Sequence, residues 1–306
     1  MEQCPIKEME ITFSCVQDTE NSLFEPIPAK KIKPEWYKKL PSVIDNYGKP
    51  TDTIKNCPAM QDYLNTGYLV RNRHTVVVAI GGKQESGSPT ENQPISLALA
   101  LKDDTPKEKF NKIKSLVNRF NKIGKEKYFH DIIEYVRAND VLVEELDNEY
   151  VLGGHPAAQT RGSGFDDKMA FKFKMDFVVK TPKGTSTYWL DPFLFNNPFF
   201  NVWQGVIDTD EFNGYNTTNN IIFYPKADNS FIIPKGTPLV QLVPFVRYPW
   251  KHKIEYFSRE EIVEMCQNDE INARLSERQD EADKGVLPKE YKSMYRKNYA
   301  SKKEFR

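Results

Sequence analysis

Cysteine is scarce and scattered. Four of the 306 residues are Cys, and Cys4, Cys15, Cys57 and Cys266 show no CxxC spacing and no His close by in sequence. That pattern argues against a disulfide framework and a local zinc site, and reduced thiols of a cytosolic protein are expected. The four His residues are equally dispersed, so no sequence-local metal cluster is expected. No apolar run is long enough for a transmembrane helix. The opening MEQCPIKEMEITF has neither a basic n-region nor an apolar h-region, and no secretory signal is expected from it. There is no surplus of either charge: 43 basic residues face 43 acidic ones, so no overall field favours nucleic acid or an anionic membrane. Arg71–His74 (RNRH) is too short for an electrostatic footprint. The phosphate loop GxxxxGK[ST] and the GxSxG elbow are both absent.

What the chain has instead is short alternating and aromatic runs, broken by turn residues. Met9–Val16 (MEITFSCV) alternates and predicts a strand. Pro26, Pro28, Pro34 and Pro41 forbid long regular structure in the following arm. Pro34 opens a short helical turn there, in which Trp36 and Leu40 are expected to pin the arm to a sheet. Ala59–Asn65 predicts a short helix closed by Gly67, and Tyr68–Val70 and Thr75–Ile80 predict strands. Gly81–Gln93 is a polar, glycine- and serine-rich loop or linker. Beyond it the period changes. Phe110, Ile113, Leu116, Val117 and Phe120, and then Phe129, Ile132, Ile133 and Val136, recur at helical spacing in Pro106–Ile123 and Lys125–Ala138. A helical hairpin packed on a β core is expected, with residues 82–147 as an insertion.

An edge strand is expected in Val141–Leu152. It leads into Gly153–Gly164 (GGHPAAQTRGSG), where His155, Gln159 and Arg161 form either a polar pocket able to grip an anion or an ordinary surface loop. Met169–Lys180 alternates apolar residues with polar ones, which predicts a strand with one wet face lined by Lys172 and Lys174. Thr181–Gly184 (TPKG) predicts a type II turn with Pro182 as its first central residue. The aromatic stretch Asp191–Asn201 (DPFLFNNPFFN) is expected to plug the core. Trp36, Trp189 and Trp203 are expected to be substantially buried, with Trp250 marking the exit from the β domain. Ser258–Glu261 is a capping box opening a helix to about Ala282, followed by a charged, tyrosine-rich tail.

The stretch Gly205–Arg247 organises these parts. It reads strand, polar loop, strand, turn, strand, and runs this short separated by Gly, Pro and Asn-Asp signals predict antiparallel strands. Gly236 fits a turn position with positive φ. Asp208 and Asp210 stand at a strand end, where alternation points both side chains to one face. Such a pair can coordinate Mg²⁺ or activate water; equally, strand-end Asp residues accept turn N–H groups.

Two resemblances follow from these motifs. The order PIPAKK-x-x-PEWYKKLP, TIKNCPAMQDYLNTGYLV, HPAAQ, TPKG, GVIDTDEF and IPKGTPLVQLVPF resembles a family of uncharacterised proteins of tailed phages, notably those of marine cyanobacteria, and of some bacteria. That family implies no particular activity. Locally, GVIDTDEFNG with the later I-x-KG-x-x-x-x-QL at 205–243 resembles two motifs of the trimeric dUTPase and dCTP deaminase barrel, a β-clip. That resemblance implies a hairpin holding a deoxyribose, with Asp208 positioning the attacking water. Glu211 and Phe212 stand where the family carries a Tyr stacking on the sugar, and the phosphate-clamping serine motif is absent. Phe212, Tyr215 and Gln241 join His155, Gln159 and Arg161 as candidate ligand-binding residues.

A mainly β, α+β chain is therefore expected, an antiparallel sandwich or barrel. Its discontinuous β core would span 1–81 and 148–250, its insertion 82–147, and its C-terminal helix and tail 251–306. The expected role is a non-enzymatic phage-type accessory, binding or structural protein without a cofactor, in the infected host's cytoplasm or on the virion. Its partner would be a second copy or a phage or host protein. The alternative is a divergent dUTPase-like nucleotide enzyme that uses Asp208, with Mg²⁺ as its only cofactor.

Overall fold

A computed structural model describes residues 9–15, 24–83, 94–123, 127–143, 153–154, 170–211, 220–226 and 229–267. The chain divides into two compact units, Met1–Lys38 with Tyr63–Arg247, and Lys39–Asp62 with Tyr248–Arg306.

The first unit is built of antiparallel sheets. β1 (Thr12–Cys15) pairs with β10 (Phe177–Lys180). A five-stranded sheet runs in the order β13 (Gly205–Ile207), β11 (Thr185–Leu190), β16 (Pro238–Val246), β5 (Tyr68–Asn72), β2 (Phe24–Pro28). A four-stranded sheet runs β12 (Phe200–Val202), β14 (Asn220–Pro225), β9 (Phe171–Lys174), β8 (Gly153–Gly154). A three-stranded sheet joins β15 (Phe231–Ile233), β6 (Thr75–Lys83) and β7 (Pro94–Leu101). None of them closes into a barrel. Phe24, Val70, Phe173, Phe177, Trp189, Phe200, Phe223 and Leu242 meet in one core to which all four sheets contribute. Trp189 lies in that core, and Trp36 and Trp203 are largely covered without being fully buried. The Trp36 indole N–H donates to the Leu194 carbonyl at 2.8 Å.

Pro26 and Pro28 do not prevent a strand. β2 is the outermost strand of its sheet, the position where a residue without an N–H leaves no ladder bond broken on its open side. The alternation in 170–180 is real, with Phe173, Met175, Phe177 and Val179 all buried. It passes through two sheets, since β9 pairs with β14 and β10 with β1. Pro34 precedes the helical turn α1 (Glu35–Lys39); the next short helix is α2 (Pro58–Asn65), and Gly67 follows at φ +73, where an added Cβ would lie 2.1 Å from the Leu242 carbonyl oxygen. Only the end of the aromatic stretch after β11 enters the core: Phe200 is buried edge-on to Phe223 and Phe199 stacks on Phe231, whereas Phe193 and Phe195 are partly exposed and Phe193 stacks on Tyr63.

The stretch 82–147 holds more than helices. Its apolar run 94–101 is strand β7, paired along β6, so a boundary at 82 falls inside a hairpin. These two strands are covered on both faces. Val76, Val78 and Ala100 face the main core, while Val77, Ala79, Leu99 and Leu101 face a second one. A strand buried on both sides reads as an unbroken apolar run, without alternation. The second core is completed by α3 (Lys107–Ile123) and α4 (Lys127–Ala138), through Ile113, Leu116, Val117, Ile132 and Val136. These are the residues whose helical spacing is visible in the sequence; the side chains of Phe120 and Phe129 lie outside the described set.

The second unit holds a hairpin of β3 (Val43–Asn46) and β4 (Lys49–Asp52), turned by Tyr47 and Gly48, both at positive φ. It also holds α5 (Arg259–Gln267), opened by the capping box: the Ser258 amide donates to Glu261 at 2.7 Å and the Glu261 amide to the Ser258 hydroxyl at 3.2 Å. The helix expected to reach Ala282 is described only to Gln267. Trp250 is 89% exposed. Among the described residues, no helix of either unit is long and apolar enough to cross a membrane.

Candidate functional site

Strand register assembles the site. β11 pairs with β13 on one side and β16 on the other, so Thr187 lies opposite Ile207 and Thr185 opposite Val246. The start of β11, the end of β13 and the end of β16 therefore meet. Asp208, Thr209 and Asp210 follow β13, Arg247 follows β16, and Gly184 precedes β11.

Alternation beyond β13 divides these residues as the sequence predicts. Thr209 turns inward, 1% exposed, and shares hydroxyl hydrogen bonds with Thr181 at 2.7 Å and Thr187 at 2.9 Å. Asp208 and Asp210 turn to the other side and meet Arg247. The guanidinium is bidentate on Asp210, with Nη1 donating to Oδ1 at 2.9 Å and Nη2 to Oδ2 at 2.5 Å. Nη1 also lies 3.0 Å from Asp208 Oδ1 and donates to Ser186 Oγ at 2.8 Å. The Ser186 hydroxyl in turn donates to Asp208 Oδ1 at 2.5 Å. Gly184 closes the arrangement from both ends: its amide donates to Asp210 Oδ2 at 2.7 Å, and its carbonyl accepts from the Arg247 amide at 2.8 Å.

Exposure separates the two carboxylates. The Asp210 side chain is 1% exposed and the Asp208 side chain 55%, with Arg247 between them at 34%. Hydrogen bonds from Arg247, helped by the Gly184 amide, hold the Asp210 carboxyl down to about 2, against the opposing effect of its desolvation. The same contact pushes the Arg247 guanidinium up. A carboxylate this acidic is a poor general base, because efficient proton transfer wants a pKa near the working pH. Its fork-to-fork pairing has the geometry of a fixed strut.

The remaining candidates fall elsewhere. Gln241 is buried and joins two segments, accepting from the Phe193 amide at 2.8 Å and donating to the Thr66 carbonyl at 2.6 Å. Phe212, Tyr215, His155, Gln159 and Arg161 lie outside the described residues. Lys172 is half-buried on β9. Arg71 pairs across strands with Glu25 at 2.8 Å. Among the described residues, no group of three or more His, Cys, Asp or Glu side chains could hold a metal ion.

Sequence reasoning found the two aspartates and missed Arg247, Ser186 and Gly184. It also missed a second polar cluster. Asn72 is buried, and its side-chain amide donates to the His74 carbonyl at 2.7 Å and the Pro234 carbonyl at 2.9 Å. The His74 ring lies 3.6 Å from Asp103, which Lys235 also contacts; the Lys235 hydrogen bond holds the Asp103 carboxyl below the usual range. The available signal was the recurrence of Pro-Lys-Gly-Thr at 182–185 and 234–237, since each cluster is built on one copy. A scan against protein-family models finds no match to this chain, and a search of curated proteins finds none.

Proposed function

We propose that this chain is a non-enzymatic binding or structural protein, of the accessory kind that tailed phages encode, acting in the infected host's cytoplasm or on the virion. The observation that carries this reading is the closed Asp210–Arg247–Gly184 arrangement, in which the more buried carboxylate is saturated by a guanidinium and a backbone amide. Catalysis by such a pair would need a carboxylate poised to take a proton or hold a metal ion. Here the cation already present is Arg247. The order of motifs along the chain supports the phage assignment.

A second reading keeps one observation in its favour. Asp208 is more than half exposed and stands where the dUTPase resemblance puts the water-holding carboxylate. A divergent nucleotide enzyme using Asp208 with Mg²⁺ would fit that. It lacks the phosphate clamp and the stacking Tyr, and since positioning supplies much of catalysis, no turnover is expected. The test is pyrophosphate and ammonia release across the deoxynucleotides with Mg²⁺, for the native protein and Asp208→Asn. The expected outcome is no release by either, with stability altered by about 1 kcal/mol or less in the variant. Native turnover that disappears in Asp208→Asn would replace the first reading with the second.

A further inference from the structure

No described residue of the second unit is buried, although the unit is rich in large apolar side chains. Tyr256 is 91% exposed, Trp250 89% and Tyr47, at the tip of the β3–β4 hairpin, fully exposed; Tyr248, Ile254 and Ile262 are exposed as well. Isolated apolar residues on a surface need no explanation, but this many within the twenty residues 248–267 do. A two-stranded hairpin is itself marginal in water without something to cover a face. The described hydrogen bonds of the 248–267 side chains, Lys253 to Glu255 and the box between Ser258 and Glu261, are internal to that segment.

We propose that this surface is the interface of a homodimer, in which residues 248–267 and the β3–β4 hairpin pack on the same unit of a second copy of the chain. Area supports it. Aromatic rings bury about 150–250 Å² each, so Tyr248, Trp250, Tyr256 and Phe257 at their observed exposures offer roughly 450–750 Å². With Ile254, Ile262, Val263 and Met265 added, the surface reaches the ~800 Å² per partner of a standard interface. Charge is compatible with a second copy. Lys251, Lys253 and Arg259 alternate along the segment with Glu255, Glu260, Glu261 and Glu264, which gives no single-sign field for a lipid surface or nucleic acid. Identical copies carrying 43 charges of each sign meet no net repulsion. A two-fold contact would present each exposed ring twice, once from each copy.

The test is sedimentation equilibrium on the full chain, native and with Trp250→Glu, Tyr256→Glu or Tyr188→Glu. Tyr188 is exposed on the outer face of the five-stranded sheet in the first unit and serves as the control. The native chain should sediment at twice its 35.5 kDa mass. Trp250→Glu and Tyr256→Glu should each weaken association about 30-fold or more, as loss of a central ring does, while Tyr188→Glu should leave it unchanged. Because all three side chains are exposed, unchanged melting should confirm that each variant folds. A single 35.5 kDa species at about 100 µM, far above the range of standard-size interfaces, would overturn the proposal. So would a dimer that tolerates Trp250→Glu and Tyr256→Glu but is broken by Tyr188→Glu.

Discussion

Residues 182–185 and 234–237 have the same four letters, Pro-Lys-Gly-Thr, and fold the same way. In each the Thr amide donates to the Pro carbonyl, Thr185 to Pro182 at 3.1 Å and Thr237 to Pro234 at 3.2 Å. In each the Gly sits at positive φ, +85 at Gly184 and +79 at Gly236. Both glycines hold the third turn position, so the first turn closes one residue later than TPKG alone suggests, with Pro182 outside its central pair. The surroundings differ. Gly184 gives its amide to a buried carboxylate and its carbonyl to the Arg247 backbone. Gly236 gives its amide to the Asn72 carbonyl, and the Asn72 amide returns a bond to Thr237 at 3.2 Å. One turn is tied down by an ion pair, the other by a neutral amide residue with Lys235 and Asp103 paired at its exposed edge. Four residues determine the turn; strand register determines what the turn holds.

The largest effect should come from a third glycine that has no such latitude. At Gly67 an added Cβ meets the Leu242 carbonyl oxygen at 2.1 Å, so Gly67→Ala combines a disfavoured φ with a backbone clash. A loss of roughly 3–4 kcal/mol in urea denaturation is expected. Next, Asp210→Asn should lower the melting temperature by several degrees at neutral pH, because it removes the anion from the Arg247 fork. Asp210 has its folded pKa lowered from 3.8 to about 2, so its contribution is fully present above the unfolded value and is lost as pH falls from about 4 to 2. The gap in melting temperature between native protein and Asp210→Asn should therefore close across that window. A gap that stays constant would show that the carboxylate is not held as an ion pair. The smallest effect separates the two turns directly. Neither Gly184 nor Gly236 has a neighbour within 4 Å of an added Cβ, so each Ala variant should lose roughly 1–2 kcal/mol through φ alone. Gly184→Ala should lose more than Gly236→Ala, since moving its amide also loosens Asp210.

Much of this architecture is legible in the sequence where the controlling interactions are local. Helical spacing identifies the buried faces of α3 and α4, Ser258 and Glu261 announce their helix, and Gly67 and Gly236 mark positive φ. Alternation from Asp208 to Asp210 places both carboxylates on one side. What stays hidden is non-local. Arg247 lies 37 residues from Asp210, and only the pairing of β11 with both β13 and β16 brings them together. Strand β7 is hidden for a different reason: covered by the main core on one face and by α3 and α4 on the other, it has no polar alternation to reveal it. Strand β2 is obscured by Pro26 and Pro28, which its edge position tolerates.

The central claim is that Asp210 and Arg247 act as one structural lock holding the end of β13 to the turn before β11. A double-mutant cycle on thermal stability tests it most directly, using Asp210→Asn, Arg247→Leu and both together. If the lock is a unit, Arg247→Leu alone strands a carboxylate that is 1% exposed and should be the least stable of the three, while adding Asp210→Asn to it restores part of the loss. Losses that simply add, with the double variant less stable than either single one, would contradict the account.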